Sequence, residues 1–164
     1  MTNPAYNPSQ SDSGDIAVLL VDAQDTRGFP VARLPRLGLL DRLAATGGFN
    51  GLPVTNVGYG VQNRVVGSGV PYFQDLNPIP RMFSFSTFNA LNPGYIRYSQ
   101  NPATGDGGTC FGDSGGPQFL TYNDVRLIVS ITITGDSVCR ATNVAYRLDT
   151  TAARSFLAAY VALP

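Results

Sequence analysis

The sequence predicts an all-β domain, a barrel or sandwich of short strands with one helix at its C-terminal end. Three observations predict it. Short apolar or alternating runs recur along the chain, punctuated by Gly, Pro, Asn and Asp. Every basic residue is Arg and every acidic one Asp, so the helix formers Lys and Glu are missing. Only the last stretch carries a helical period. With 164 residues, 43 % of them apolar, a single domain with a real core is expected.

The elements follow in order. Residues 1–14 are turn-rich, with Pro4, Pro8 and Gly14. Residues 16–21, IAVLLV, form a continuous apolar run that reads as a buried strand. Residues 22–52 mix turns with apolar pieces, and 37–45 can hold a short helical turn. Residues 53–59 alternate and end at glycine, and 62–66 read as a further strand. Residues 81–88, RMFSFSTF, alternate apolar and polar, the pattern of a half-buried strand. Residues 95–99 look similar. Residues 101–116 make a long Gly/Asp/Thr loop, followed by strands at 117–121, 125–134 and 143–148. Ala153, Phe156, Leu157, Tyr160 and Val161 then follow the i, i+3, i+4, i+7, i+8 stripe of an amphipathic helix, which Asp149 or Thr150 can cap.

Composition excludes several function classes. Net charge is zero and there is no basic tract, so nothing favours nucleic acid or an anionic membrane. No apolar run is long enough to span a bilayer as a helix, and the first residues lack the pattern of a signal peptide. Histidine is absent, which removes the commonest general base and the commonest metal ligand. Two cysteines, Cys110 and Cys139, cannot build a zinc site alone; they can stand as free thiols or form one disulfide. No cluster of metal ligands exists, and no cofactor is implied.

The informative segment is residues 105–117, GDGGTCFGDSGGP. A serine among glycines can be presented on a tight turn, and glycines let backbone N–H groups converge on one spot. Paired donors of that kind stabilise a developing oxyanion. A bare Gly-x-Ser-x-Gly equally describes a glycine-rich hairpin with a capping serine. The nucleophile elbow of α/β-hydrolases uses the same letters but needs a helix after the serine. Here Pro117 and a strand-like run follow, and that reading fails.

The longer string Cys110-Phe111-Gly112-Asp113-Ser114-Gly115-Gly116-Pro117 resembles the nucleophile motif of trypsin-like serine proteases. Residues 14–20, GDIAVLL, resemble the strand that bears that family's catalytic aspartate, and Asn3-Pro4-x-Tyr6-Asn7 resembles the lead-in to it. Residues 52–60, LPVTNVGYG, resemble the strand ending in a Gly-aromatic-Gly step. Val129-Ser130 resembles the strand lining the substrate cleft, and Tyr146-Arg147 with the final helix resembles the closing segment. The resemblance covers nearly the whole chain and is weakest over 22–50 and 61–90.

The resemblance implies a chymotrypsin-like double β-barrel, here cut to the second barrel plus the end of the first. Residues 1–22 would be the remnant of the first barrel, 23–50 the connection, 51–148 the second barrel and 149–164 the C-terminal helix. It implies a serine endopeptidase acting on polypeptides. Ser114 matches the nucleophile, the N–H groups of Gly112 and Ser114 the oxyanion hole, and Asp15 the aspartate that orients the histidine. These roles belong to the family's well-known triad. Taken alone, Asp15 reads as a solvated carboxylate flanking a strand. Asp113 matches the residue that pairs with a new N-terminus after activation, and no partner for it is visible in this chain. Cys110 and Cys139 match a disulfide tying two walls of the primary pocket, which would stabilise by about 3–4 kcal/mol in the chain-entropy model. Gly108 matches the pocket base, with Ser130, Thr132 and Val144 near its walls, a set that favours small or medium apolar side chains. Asp136, in a longer loop, could re-enter the pocket and favour basic ones. An extracellular location is implied in the same way.

The family's histidine lies upstream of the aspartate strand, where this chain begins. A serine hydroxyl without an adjacent base is a weak nucleophile, so the 164 residues alone are expected to be nearly inactive. A chain truncated from a longer parent, a non-catalytic pseudoprotease serving as a protein-binding module, and a split enzyme completed in trans by the missing N-terminal half each account for this.

Overall fold

The computed structural model describes all residues except 66–68, 70–71 and 75–76. Its chain order is α1 (Leu39–Thr46), β1 (Val54–Gly58), β2 (Asn63–Val65), β3 (Tyr72–Gln74), β4 (Met82–Leu91), β5 (Tyr95–Ser99), β6 (Pro117–Tyr122), β7 (Val125–Gly135), β8 (Thr142–Arg147) and α2 (Thr151–Leu157). Six strands close an antiparallel barrel in the order β1-β4-β5-β8-β7-β6, with β1 and β6 completing the ring. Closure leaves no free sheet edge among those strands. The β2–β3 hairpin stands outside the barrel.

The mostly-β expectation holds, and most strand boundaries fall within a few residues of the sequence reading. Val66, at the end of one expected strand, lies outside the described residues. β3 was not foreseen. The run 16–21 differs more: Ala17 makes one isolated bridge to Thr2, and Leu19 is 89 % exposed, so no buried strand forms there. The expected helical turn is α1, and α2 is capped by the Thr150 side chain, which accepts from the Ala153 N–H at 3.1 Å. Asp149 caps the other helix instead, accepting from the Leu40 N–H at 2.8 Å.

Along the barrel strands the inward positions change from polar to apolar. Asn56 gives way to Val54, Gln118 to Leu120, Gln100 to Tyr98 and Ile96, and Asn143 to Ala145. The apolar end is plugged by α1 through Leu39, Leu40 and Leu43, together with Phe49. A second cluster of Ile16, Tyr146, Leu148, Ala153 and Leu157 fixes the N-terminal segment and α2 to the outside of the barrel. Between them, buried Arg147 donates to Asp149 at 2.9 Å and Asp41 at 2.6 Å, joining β8 to α1.

β4 alternates as expected, but with its faces exchanged near the polar end. Ser86 is buried while Phe83 and Phe85 are exposed. The reason lies in the neighbouring loop. The Ser84 hydroxyl donates to the Gly108 carbonyl and the Ser86 hydroxyl to the Gly107 carbonyl, each at 2.7 Å. Backbone carbonyls lowered onto a barrel need donors, and a serine supplies what a phenylalanine cannot.

Candidate active site

The polar end of the barrel holds residues 105–116 from below. Gln100 joins two walls: its Oε1 accepts from the Thr109 N–H at 3.0 Å and its Nε2 donates to Asp136 at 3.0 Å. The Asp136 carboxylate accepts from the N–H groups of Arg140, Ala141 and Thr142 as well. Although burial opposes it, these donors hold the Asp136 carboxyl well below the usual range. The Cys110–Cys139 disulfide forms, tying the same two walls, and closes the loop between them. A disulfide is consistent with an extracellular location.

Ser114 sits at the outer tip of this loop, exposed, with Gly112 and Gly115 in the left-handed region at φ 94° and 80°. Those angles are strained for any side chain, which is why glycine flanks the serine. The Gly115 N–H donates to the Thr132 carbonyl at 2.7 Å, and the Thr132 N–H to the Gly116 carbonyl at 3.0 Å, so the loop is laced to β7. The N–H groups of Gly112 and Ser114 find no acceptor among the described residues.

Asp113 has partners that sequence reasoning did not see. One carboxylate oxygen accepts from the Gly60 N–H at 2.8 Å and the other from the Cys110 N–H at 2.9 Å. A Cβ on Gly58 or Gly60 would collide with that carboxylate. The Gly58-Tyr59-Gly60 step is therefore explained by close approach: the carboxylate lies against the backbone there.

Two cavities meet at Ser114. The larger, about 1190 Å³, is mostly apolar; Asp15 and Ser114 both line it, with Ile16, Leu34, Ile131 and Thr132. The smaller, about 200 Å³, runs between the disulfide-linked walls and is lined by Thr109, Phe111, Thr132, Thr134, Asp136 and others. Ser114, Asp15 and Thr132 thus line one large cavity, and Asp136 lines the narrow one. The expected pocket base Gly108 and the expected wall residues Ser130 and Val144 line neither cavity. Gly108 packs on Gln100 and faces the cavity on the opposite side of the loop. Ser130 is fully buried, donating to Gln118 at 2.5 Å and paired with the Tyr98 hydroxyl at 2.8 Å. Burial pushes the Tyr98 phenol above its ordinary value. Val144 lines neither cavity at Ser114. A register shift where β6 pairs β7, between Gln118 and Phe119, lies beside Ser130, and another where β7 pairs β8, between Thr132 and Thr134, lies beside Val144.

Gln100, Ser84, Ser86 and Asp136 were the supports missed as such. Their signal was available only as polar residues at inward strand positions. Among the described residues no cluster of three metal-ligating side chains occurs. Compared with known proteins, the chain matches no family model and no curated protein.

Proposed function

We propose that this chain carries the nucleophile half of a trypsin-like serine peptidase site, on the second barrel of a chymotrypsin-like fold. The observation that supports it best is the exposed Ser114 lining a narrow cavity, with its own and the Gly112 N–H unengaged among the described residues, and Asp15 on the larger cavity that Ser114 also lines. In this reading Ser114 Oγ attacks the scissile carbonyl of a polypeptide, forming an acyl-enzyme as the amine leaves. The two amides take the developing oxyanion, a contribution of about 3–4 kcal/mol per donor at such sites. The base is a histidine from outside these 164 residues, oriented by Asp15 within the larger cavity. The narrow cavity, bounded by threonines and the disulfide, takes the side chain before the scissile bond.

Labelling with a serine-directed fluorophosphonate tests this. The chain alone should react at no more than a background rate. The chain completed by a polypeptide segment that bears a histidine should label and cleave peptides. Ser114→Ala should abolish both. If that completed protein neither labels nor cleaves, the peptidase reading is wrong.

The lack of any histidine in the sequence favours a second reading, a non-catalytic protein-binding module. It expects the isolated chain to unfold cooperatively and to bind its partner unchanged by Ser114→Ala.

A further inference from the structure

Two steps in this chain join an Asn or Asp to glycine: Asn50-Gly51, between α1 and β1, and Asp106-Gly107, at the start of the Ser114 loop. A glycine after such a residue lets the next backbone nitrogen reach the side-chain carbonyl carbon and close a five-membered imide. The two steps differ at every point that this reaction needs. At Asp106-Gly107 each participant is occupied. The Gly107 N–H donates to the Phe85 carbonyl at 2.7 Å. The Asp106 carboxylate accepts from the Thr87 hydroxyl at 3.0 Å and the Thr104 hydroxyl at 2.9 Å. Although burial opposes it, the hydroxyls of Ser99, Thr104 and Thr87 hold that carboxyl below the usual range. A charged carboxylate offers no leaving group.

At Asn50-Gly51 each participant is free. Both residues are exposed and border an open cavity of about 260 Å³. Neither the Asn50 side chain nor the Gly51 N–H makes a hydrogen bond among the described residues. The turn is held by its other amides: the Asn50 N–H donates to the Gly47 carbonyl and the Leu52 N–H to the Phe49 carbonyl, each at 3.0 Å. Gly51 takes a left-handed φ of 72°, and nothing lies within 4 Å of where a side chain would begin. The remaining asparagines lack the glycine. Those before proline, such as Asn101, face a nitrogen with no proton to lose. Asn56 and Asn143 are buried in strands.

We infer that Asn50-Gly51 is a site of spontaneous deamidation, and that the product loosens the α1 end of the barrel. The Gly51 nitrogen, its proton taken by hydroxide, attacks Asn50 Cγ. The N–Cγ bond forms, the Cγ–Nδ2 bond breaks, and ammonia leaves with a proton from water. Water then opens the imide at either carbonyl. One opening leaves an aspartate at this position; the other runs the main chain through the side-chain carbon and lengthens it by a methylene. Position sets the consequence. Asn50 Nδ2 lies beside Gly47, the cap of α1, where a Cβ would come to 3.4 Å from it. A carboxylate in its place faces the negative end of the helix, where its charge is unfavourable. A lengthened main chain displaces Phe49, which is buried and stacks on Phe88 at 4.1 Å, and Leu52, which packs on the same core. The inference stands apart from the peptidase reading.

Ageing the 164-residue chain at neutral and at alkaline pH, followed by tryptic mapping with mass spectrometry, tests it. The fragment 43–64 should gain the mass of water less that of ammonia and become a substrate for isoaspartyl methyltransferase. Fragment spectra should place the change on Asn50. Conversion should quicken by about tenfold per pH unit, since the attacking species is the amide anion. Asn50→Gln, which cannot close the five-membered ring, should stay unconverted under the same conditions. The aged parent should melt about 2–4 °C below the fresh one, while aged and fresh Asn50→Gln melt together. Amide exchange in the aged parent should quicken at 39–52 and stay unchanged at 105–116. An Asn50 that converts only in the urea-unfolded chain, or isoaspartate forming first at Asp106, would overturn the site. Conversion with an unchanged melting point and unchanged exchange would overturn the loosening.

Discussion

The two ends of the barrel are built from the same six strands but by opposite means. At the α1 end, Leu40, Val54, Ile96, Leu120 and Val129 meet with essentially no exposed surface, and the contacts are apolar. At the other end, Asn56, Ser86, Gln100, Gln118 and Asn143 are as deeply buried; Ser86 and Gln100 bond to loop backbone, Asn56 Nδ2 to Ser86 and Gln118 to Ser130 and Thr132, while Asn56 Oδ1 and both polar atoms of Asn143 have no partner among the described residues. Apolar burial is non-directional and stabilises in proportion to area. Hydrogen bonds contribute little net stability, but they fix position, and leaving one unmade is costly. The difference teaches a division of labour. One end keeps the barrel folded, and the other holds the loop of Ser114 in place.

The largest effect should come from the apolar end. Leu40 is fully buried on α1, and Leu40→Ala should cost about 2–5 kcal/mol of unfolding free energy, as large-to-small changes in cores do. Denaturant unfolding reads this directly. The change should shift the midpoint while leaving the exchange of the Thr109 amide tied to global unfolding. Selective loosening of residues 107–110 by this variant would show that the two ends are not separate in role.

Gln100→Ala should be smaller in energy and larger in local consequence. It removes the acceptor of the Thr109 N–H and the donor to Asp136, and opens space beside Gly108. An orphaned buried donor costs about 1–3 kcal/mol. Amides at 107–110 and 136–142 should then exchange faster than the global unfolding rate allows. In the completed protein of the peptidase reading, labelling of Ser114 should fall more than the loss of stability explains. Uniform acceleration across the chain would erase the distinction between the ends.

The legibility of the sequence divides along the same line. Strands such as β5, β6 and β8 are bounded by local turn residues and alternate in the expected way, so short-range pattern finds them. The presentation of Ser114 is equally local, since Gly112 and Gly115 take angles that glycine tolerates. The supporting end is written in long-range terms. Ser84 and Ser86 point inward because Gly107 and Gly108 lie above them, more than twenty residues away. No window of sequence contains both partners. Residues 16–21 fail for a related reason: their composition says strand, but beyond the bridge at Ala17 no strand pairs with them among the described residues. The register shifts beside Ser130 and Val144, and the packing of Gln100 against Gly108, likewise leave no local trace.

The smallest expected effect concerns pH, and it belongs to the polar end alone. Three backbone N–H groups and Gln100 favour the charged form of Asp136, so its folded pKa lies below its unfolded one near 4. A carboxylate of that kind adds stability that is fully present above the unfolded value. The contribution fades as pH falls below about 4, through the unfolded pKa and toward the depressed folded one. Thermal unfolding should therefore weaken on acidification in this window, and amide exchange at 136–142 should quicken there before the α1 end responds. Asp136→Asn keeps the shape but not the charge, so its melting temperature should depend less on pH below 4 than the parent's. Above neutrality the two proteins should run parallel. An identical acid profile in both would move the titrating group elsewhere and leave the Gln100–Asp136 link as packing, not electrostatics.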